Sequence, residues 1–69
     1  MTQKERISKY LDDFGSITSL EAMRDLGIMR LASRISEMVR DGERITKETV
    51  TGKNRYGETT HYARYKKAV

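Results

Sequence analysis

The sequence predicts an α+β fold, a three-helix core followed by a C-terminal two-stranded β-hairpin. Three observations carry this. Two Thr-x-x-Glu capping boxes, Thr2 with Glu5 and Thr18 with Glu21, each open a run of apolar residues at helical spacing. A third apolar arc, Leu31, Ile35, Met38 and Val39, runs up to Gly42. After Gly42 the periodicity changes from about 3.6 to about 2, over two segments rich in β-branched and aromatic residues.

In the first helix Ile7, Tyr10, Leu11 and Phe14 follow an i, i+3, i+4, i+7 pattern, and Gly15 closes it. Lys4, Arg6, Lys9, Asp12 and Asp13 lie off that stripe and form a solvated face. Ser16-Ile17 reads as a short extended link, with Ile17 pointing inward and able to add a short strand to the sheet edge. The second helix begins after the Thr18 box, carries Leu20, Met23 and Leu26 along one side, and ends at Gly27. Leu31 comes only four residues after Gly27, so the turn is tight. The third helix starts at about Met29 and stops before Gly42, with Ala32 at the edge of its apolar arc. Met23 and Met38 are expected as core fillers. Met29 is expected to pack against the preceding helix; exposed, it could instead touch a thymine methyl.

Arg44 to Thr51 and Thr59 to Lys66 read as paired strands, and Gly52-Lys53-Asn54-Arg55-Tyr56-Gly57 supplies the turn residues of a hairpin. With the loop centred near Asn54 and Arg55, Ile45 faces Tyr65 and Lys47 faces Ala63. One face then carries Ile45, Ala63 and Tyr65 towards the helices. The other, with Thr46, Glu48, Val50, Tyr62 and Arg64, is solvated. Leu11, Leu26, Ile35 and Tyr65 are expected to be nearly fully buried.

A chain of 69 residues is expected to form one domain, residues 1–69. Such a chain buries only about 60% of its unfolded surface, so its core must be economical. Without cysteine there is neither a disulfide framework nor a thiolate metal site. No apolar run is long enough to span a bilayer and no signal-peptide pattern occurs, which predicts a soluble, cytoplasmic protein with no membrane partner. The net charge is +4. Residues 1–28 hold four basic and five acidic groups, a balance of −1, whereas residues 29–69 hold ten and five, a balance of +5. Positive charge gathered in one half is the electrostatic footprint of a nucleic-acid binder.

Catalysis has little to stand on. His61, the single histidine, lies in an alternating strand with no cysteine or nucleophile motif beside it. Asp12 and Asp13 are adjacent on a helix, where neighbouring side chains point about 100° apart and cannot share a proton or a metal. No glycine-rich phosphate loop is present. The sequence therefore predicts no enzyme, no cofactor and no metal.

The polar arc of the third helix is more informative. Arg30 and Arg34 sit one turn apart, with Ser33 and Glu37 between and beyond them, and Arg40 and Asp41 further along. An arginine fork can bond guanine O6 and N7 together or grip a phosphate, and Glu37 can hold Arg34 through an i, i+3 ion pair. The plain alternative is a solvated helix face. The hairpin loop adds Lys53, Asn54, Arg55 and Tyr56, which can reach a phosphate, a sugar or a minor groove. A basic helix face and a basic arm in one small domain are more specific than either alone.

Helix, Ile17 link, helix, tight turn, helix and basic hairpin resemble a winged helix-turn-helix domain from about Thr2 to Lys66. The stretch from Gly15 to Ile28, with Arg34-Ile35-Ser36 and the arm from Lys53 to Gly57, is similar to small helix-turn-helix proteins of phages and prophages. The resemblance implies a protein that binds double-stranded DNA as a phage or bacterial transcription regulator or as an architectural factor. The third helix, about 29–41, would enter the major groove, and the wing, 52–57, would lie on the backbone or in the minor groove. The DNA-contacting set is then Arg30, Ser33, Arg34 and Glu37 on the helix with Lys53, Asn54, Arg55 and Tyr56 on the wing. Such a domain would act as a monomer or weak homodimer on DNA. The alternative is a protein-interaction module, an adaptor or phage inhibitor of a host protein, using the same basic face.

Overall fold

The computed structural model describes residues 1–68. In chain order the elements are α1 (Gln3–Phe14), β1 (Ile17–Thr18), α2 (Ser19–Leu26), α3 (Leu31–Arg40), β2 (Ile45–Lys53) and β3 (Thr59–Lys67). This is the expected α+β arrangement of three helices and a hairpin, with the Ile17 link forming a third strand.

Both capping boxes form. Thr2 Oγ1 accepts from the Glu5 N–H at 3.1 Å and Glu5 Oε1 from the Thr2 N–H at 2.9 Å. Thr18 and Glu21 repeat the exchange at 3.3 and 2.9 Å. Each pair satisfies two amides that a helix start would otherwise leave without partners. Gly15 and Gly27 close α1 and α2 at φ of 84° and 70°, the left-handed region that only glycine enters freely.

The sheet is antiparallel, ordered β1-β3-β2. Ile17 pairs with Tyr65 and Thr18 with Arg64, so Thr18 is both a strand residue and the cap of α2. The hairpin register differs from the expected one by two residues: Ile45 pairs with Lys67 and Lys47 with Tyr65. The cause is the loop. Asn54 Oδ1 accepts from the N–H groups of Tyr56 and Glu58 at 2.9 and 3.0 Å, and the Asn54 N–H donates to the Glu58 carbonyl, so the turn spans Asn54 to Glu58 and centres on Tyr56. A shift of two leaves every side chain on its original face, whereas a shift of one would have inverted the sheet.

Ile7, Tyr10, Leu11, Ile17, Ala22, Ile28, Leu31, Ile35, Met38 and Tyr65 form one buried cluster, with Leu26, Ile45 and Ala63 packed against it. No polar or charged residue is buried among those described. Leu11, Ile35 and Tyr65 are buried as expected, but Leu26 is only partly so. On α2 the core residue is Ala22, while Leu20 and Met23 are 63% and 45% exposed, against the expectation of an inward stripe and of Met23 as core filler. Three-residue spacing drifts about 60° per step on a helix of 3.6 residues per turn, so Leu20 ends up about 120° from Leu26. Phe14 is also exposed, although its ring rests 4.6 Å from that of Tyr10. Val39 lies largely outside as well, at the edge of a groove beside the sheet. Among the described residues no helix is long and apolar enough to cross a membrane.

Candidate nucleic-acid interface

The chain from Gly27 into α3 is fixed by local hydrogen bonds. The Ile28 N–H donates to the Ala22 carbonyl at 3.0 Å, and the Arg34 N–H to the Arg30 carbonyl at 3.2 Å. Ile28 and Leu31 are both sunk in the core, so Met29 and Arg30 between them are held outward. The helix thus begins at Leu31 with Arg30 as its N-cap, two residues later than expected, and Met29 is 76% exposed rather than packed against α2.

Along α3, Leu31, Ile35 and Met38 face the core. At about 100° per residue the opposite side carries Ser33, Ser36 and Arg40. Ser36 and Arg40 are exposed and Ser33 is half-buried. Arg34 and Glu37 occupy the flank facing the start of α1. An Arg34 guanidinium nitrogen lies 2.9 Å from Glu37 Oε2, and Lys4 Nζ lies 3.6 Å from Glu37 and 3.1 Å from Asp41. The hydrogen bond and charge of Asp41 hold the Lys4 ammonium above its usual range. Arg34 Nε is buried with no hydrogen-bond partner of its own. Arg34 and Glu37 are therefore joined to α1, while Arg30 and Ser33 stand closer to the open side.

The hairpin has two chemically different faces. Lys47, Thr49, Thr51 and Lys53 share one face with His61, Ala63 and Tyr65. At its base Lys47, Ile45 and Tyr65 meet Ala32, Ser36 and Val39 of α3 around a groove of about 430 Å³. The other face carries Glu48, Val50, Tyr62, Arg64 and Lys66, and Glu48 lies 3.3 Å from both Arg64 and Lys66. At the tip Lys53, Arg55 and Tyr56 are exposed, Tyr56 by 83%. Asn54 has its side-chain oxygen committed to the loop and its amide nitrogen donating to Glu58 Oε1 at 3.1 Å, so it shapes the tip.

Ion pairing separates the cations. Lys4, Lys9, Arg24, Arg34, Arg64, Lys66 and Lys67 each lie within 4 Å of a carboxylate. Among the described residues, those without an acidic partner are Arg6 and then Arg30, Arg40, Arg44, Lys47, Lys53 and Arg55, which with the paired Arg34 are all the cations from the cap of α3 to the wing tip. Arg44 and Lys47 lie outside the helix arc and the loop tip that the sequence marks. Lys47 sits on the face opposite Glu48, which in the observed register pairs across with Arg64 rather than Tyr62. Arg40 could have been found, since it lies on the outer arc of the helix.

Among the described residues no group of three or more histidine, cysteine or carboxylate side chains is placed to hold a metal ion. Two helices across a tight glycine turn, a third helix beneath them and a sheet whose last two strands extend as an arm define a helix-turn-helix protein of the winged class. A family model described as the winged helix-turn-helix domain matches residues 2–67, and the chain belongs to that family. No curated protein and no solved structure gives a significant match. Membership points to DNA as the general partner and to a binding rather than a catalytic protein.

Proposed function

We propose that the chain is a single winged helix-turn-helix domain that binds double-stranded DNA, sequence-specifically or as an architectural factor. In this reading it is a small cytoplasmic transcription regulator of a phage or bacterium. The observation that carries the proposal is that six of the seven cations from the cap of α3 to the wing tip have no acidic partner. Seven other cations each lie beside a carboxylate, so uncompensated positive charge is concentrated where the motif meets DNA. Arg30 and Ser33 reach base edges from the open end of α3. Arg34 and Glu37 act at its flank, as a linked pair that sets the height of the helix against the backbone. Lys53 and Arg55 grip phosphates or enter the minor groove, Asn54 shapes the loop that presents them, and Tyr56 lies against the sugars. The protein works without cofactor, as a monomer or weak homodimer on DNA.

A second reading, a protein-interaction module, is favoured by one feature. A groove of about 630 Å³ between α2 and β3 is lined by Leu20 and Tyr62 together with Glu21, Arg24 and Arg64, a mixture of apolar groups and both charges that suits a protein better than a polyanion. The test is selection from random duplex DNA, followed by titration of the selected duplex at several salt concentrations. Affinity should fall as a power of salt concentration. Salt-dependent binding without enrichment would mark an architectural factor, and binding to duplex no tighter than to an unrelated polyanion would favour the protein partner.

A further inference from the structure

Met29 is the apolar residue that the fold treats most oddly. It is 76% exposed, yet its backbone is not loose, being clamped between two of the most deeply buried residues of the motif, Ile28 at 1% and Leu31 at 2%. The hydrogen bonds from Ile28 to Ala22 and from Arg34 to Arg30 fix the chain on either side. A large thioether is thus held out by rigid backbone directly before the Arg30 cap, at the end of α3 that leads into the major groove in this motif. The major groove offers one apolar feature, the C5 methyl of thymine. Methionine, unbranched and polarisable, adapts to such a target with no demand on hydrogen-bond geometry.

Resting on the proposed DNA-binding role, we infer that Met29 is a specificity-determining residue that covers a thymine methyl beside the base contacted by Arg30. Arg30 supplies the hydrogen-bonding part of the readout and Met29 the apolar part, so the preferred site carries a thymine next to the arginine-contacted step.

The test is a double-substitution cycle on a duplex obtained by selection with the parent protein. Each thymine of that duplex is replaced in turn by deoxyuridine, which lacks only the methyl group, and binding is measured for parent and for Met29→Ala. At one position the parent should lose about fourfold in affinity, the effect of one methyl-sized group leaving water. Met29→Ala should bind the thymine duplex correspondingly less well and be indifferent to deoxyuridine at that position, with an unchanged melting curve because the side chain is exposed. A parent indifferent to deoxyuridine everywhere overturns the inference, as does a Met29→Ala variant that keeps the full deoxyuridine penalty. A parent that binds duplex but selects no sequence also overturns the inference, whereas a parent that binds no duplex overturns the DNA-binding reading itself, which separates the two failures.

Discussion

Replacing Lys53 and Arg55 together by alanine isolates the electrostatic role of the wing. Both are exposed at the tip and neither has a carboxylate partner, and the loop is shaped by the Asn54 side chain and by Gly57 at φ 78°, which the replacements leave in place. Each phosphate neutralised on B-DNA contributes about −0.9 to the slope of log affinity against log salt. The six unpaired cations from Arg30 to Arg55 would give a slope of about −5, and removing two would bring it to about −3.6. Between 50 and 200 mM salt the affinity gap between parent and variant should then narrow about twelvefold. The loss should be equal on a preferred and a scrambled duplex, since phosphate contacts carry no sequence information. The assay is a fluorescence-anisotropy salt titration on both duplexes, with Arg64→Ala/Lys66→Ala as the comparison because both of those cations already share the Glu48 carboxylate. If the two double variants flatten the slope equally, ion pairing does not decide which cations meet DNA. An unchanged slope for the tip variant removes the wing from the backbone, and a loss confined to the preferred duplex makes Arg55 a base reader.

Three further outcomes follow from the same geometry. Ile35→Ala empties a site in the middle of the core and should destabilise the fold by about 2–5 kcal/mol in urea unfolding, so a midpoint equal to the parent's would contradict the packing of α3. Arg30→Ala should leave the melting temperature unchanged and weaken duplex binding by about 1–3 kcal/mol with relaxed preference at one position, whereas Arg34→Ala should also lower the melting temperature because it unties Glu37; identical thermal behaviour of the two would show the Arg34–Glu37 link to be idle. Tyr10 donates to Asp25 Oδ2 at 2.7 Å, and this bond with desolvation of the phenol pushes its pKa up from 10.0 to about 12. A raised folded-state pKa means that this stabilisation is complete below 10.0 and lost as pH rises through about 12, so the stability gap between parent and Tyr10→Phe should close over that interval, and a gap constant with pH would show that the hydroxyl contributes nothing through Asp25.

The parts of this fold written in local sequence were readable from it. A capping box needs only a threonine and a glutamate three residues on, and both boxes form with the expected partners. The arc Leu31, Ile35 and Met38 keeps helical spacing and is buried throughout. The parts that depend on a distant partner were not readable. Hairpin register turned on whether Asn54 would serve as a surface contact or as an acceptor for the amides of Tyr56 and Glu58, a choice that residue type leaves open. With the register moved, Glu48 met Arg64 and Lys66, and the division between neutralised and free cations moved with it. The sequence therefore marks the basic arc of α3 and the loop tip, but that Arg34 is half-committed to Glu37 while Arg44 and Lys47 have no carboxylate partner required the structure.

The rotation of α2 shows how such a choice is settled. Its most apolar stripe by composition, Leu20 and Met23 with Leu26, would turn the helix one way, yet three constraints turn it another. The Thr18–Glu21 box ties its first turn to the strand that pairs with β3, Ala22 is small enough to let the helix backbone approach the core, and Asp25 accepts from the buried ring of Tyr10. Arg24, at 2.9 Å, and the Tyr10 hydroxyl together hold the Asp25 carboxyl below its usual range, so the bond that orients the helix is made by a carboxylate at neutral pH. Hydrogen bonds and close backbone approach are directional and apolar burial is not, so where the two disagree over the phase of an eight-residue helix, direction decides. The apolar groups that lose the contest, Leu20 and Met23, are left on the outside of a domain too small to hide them, and Leu20 lines the groove between α2 and β3 together with Tyr62.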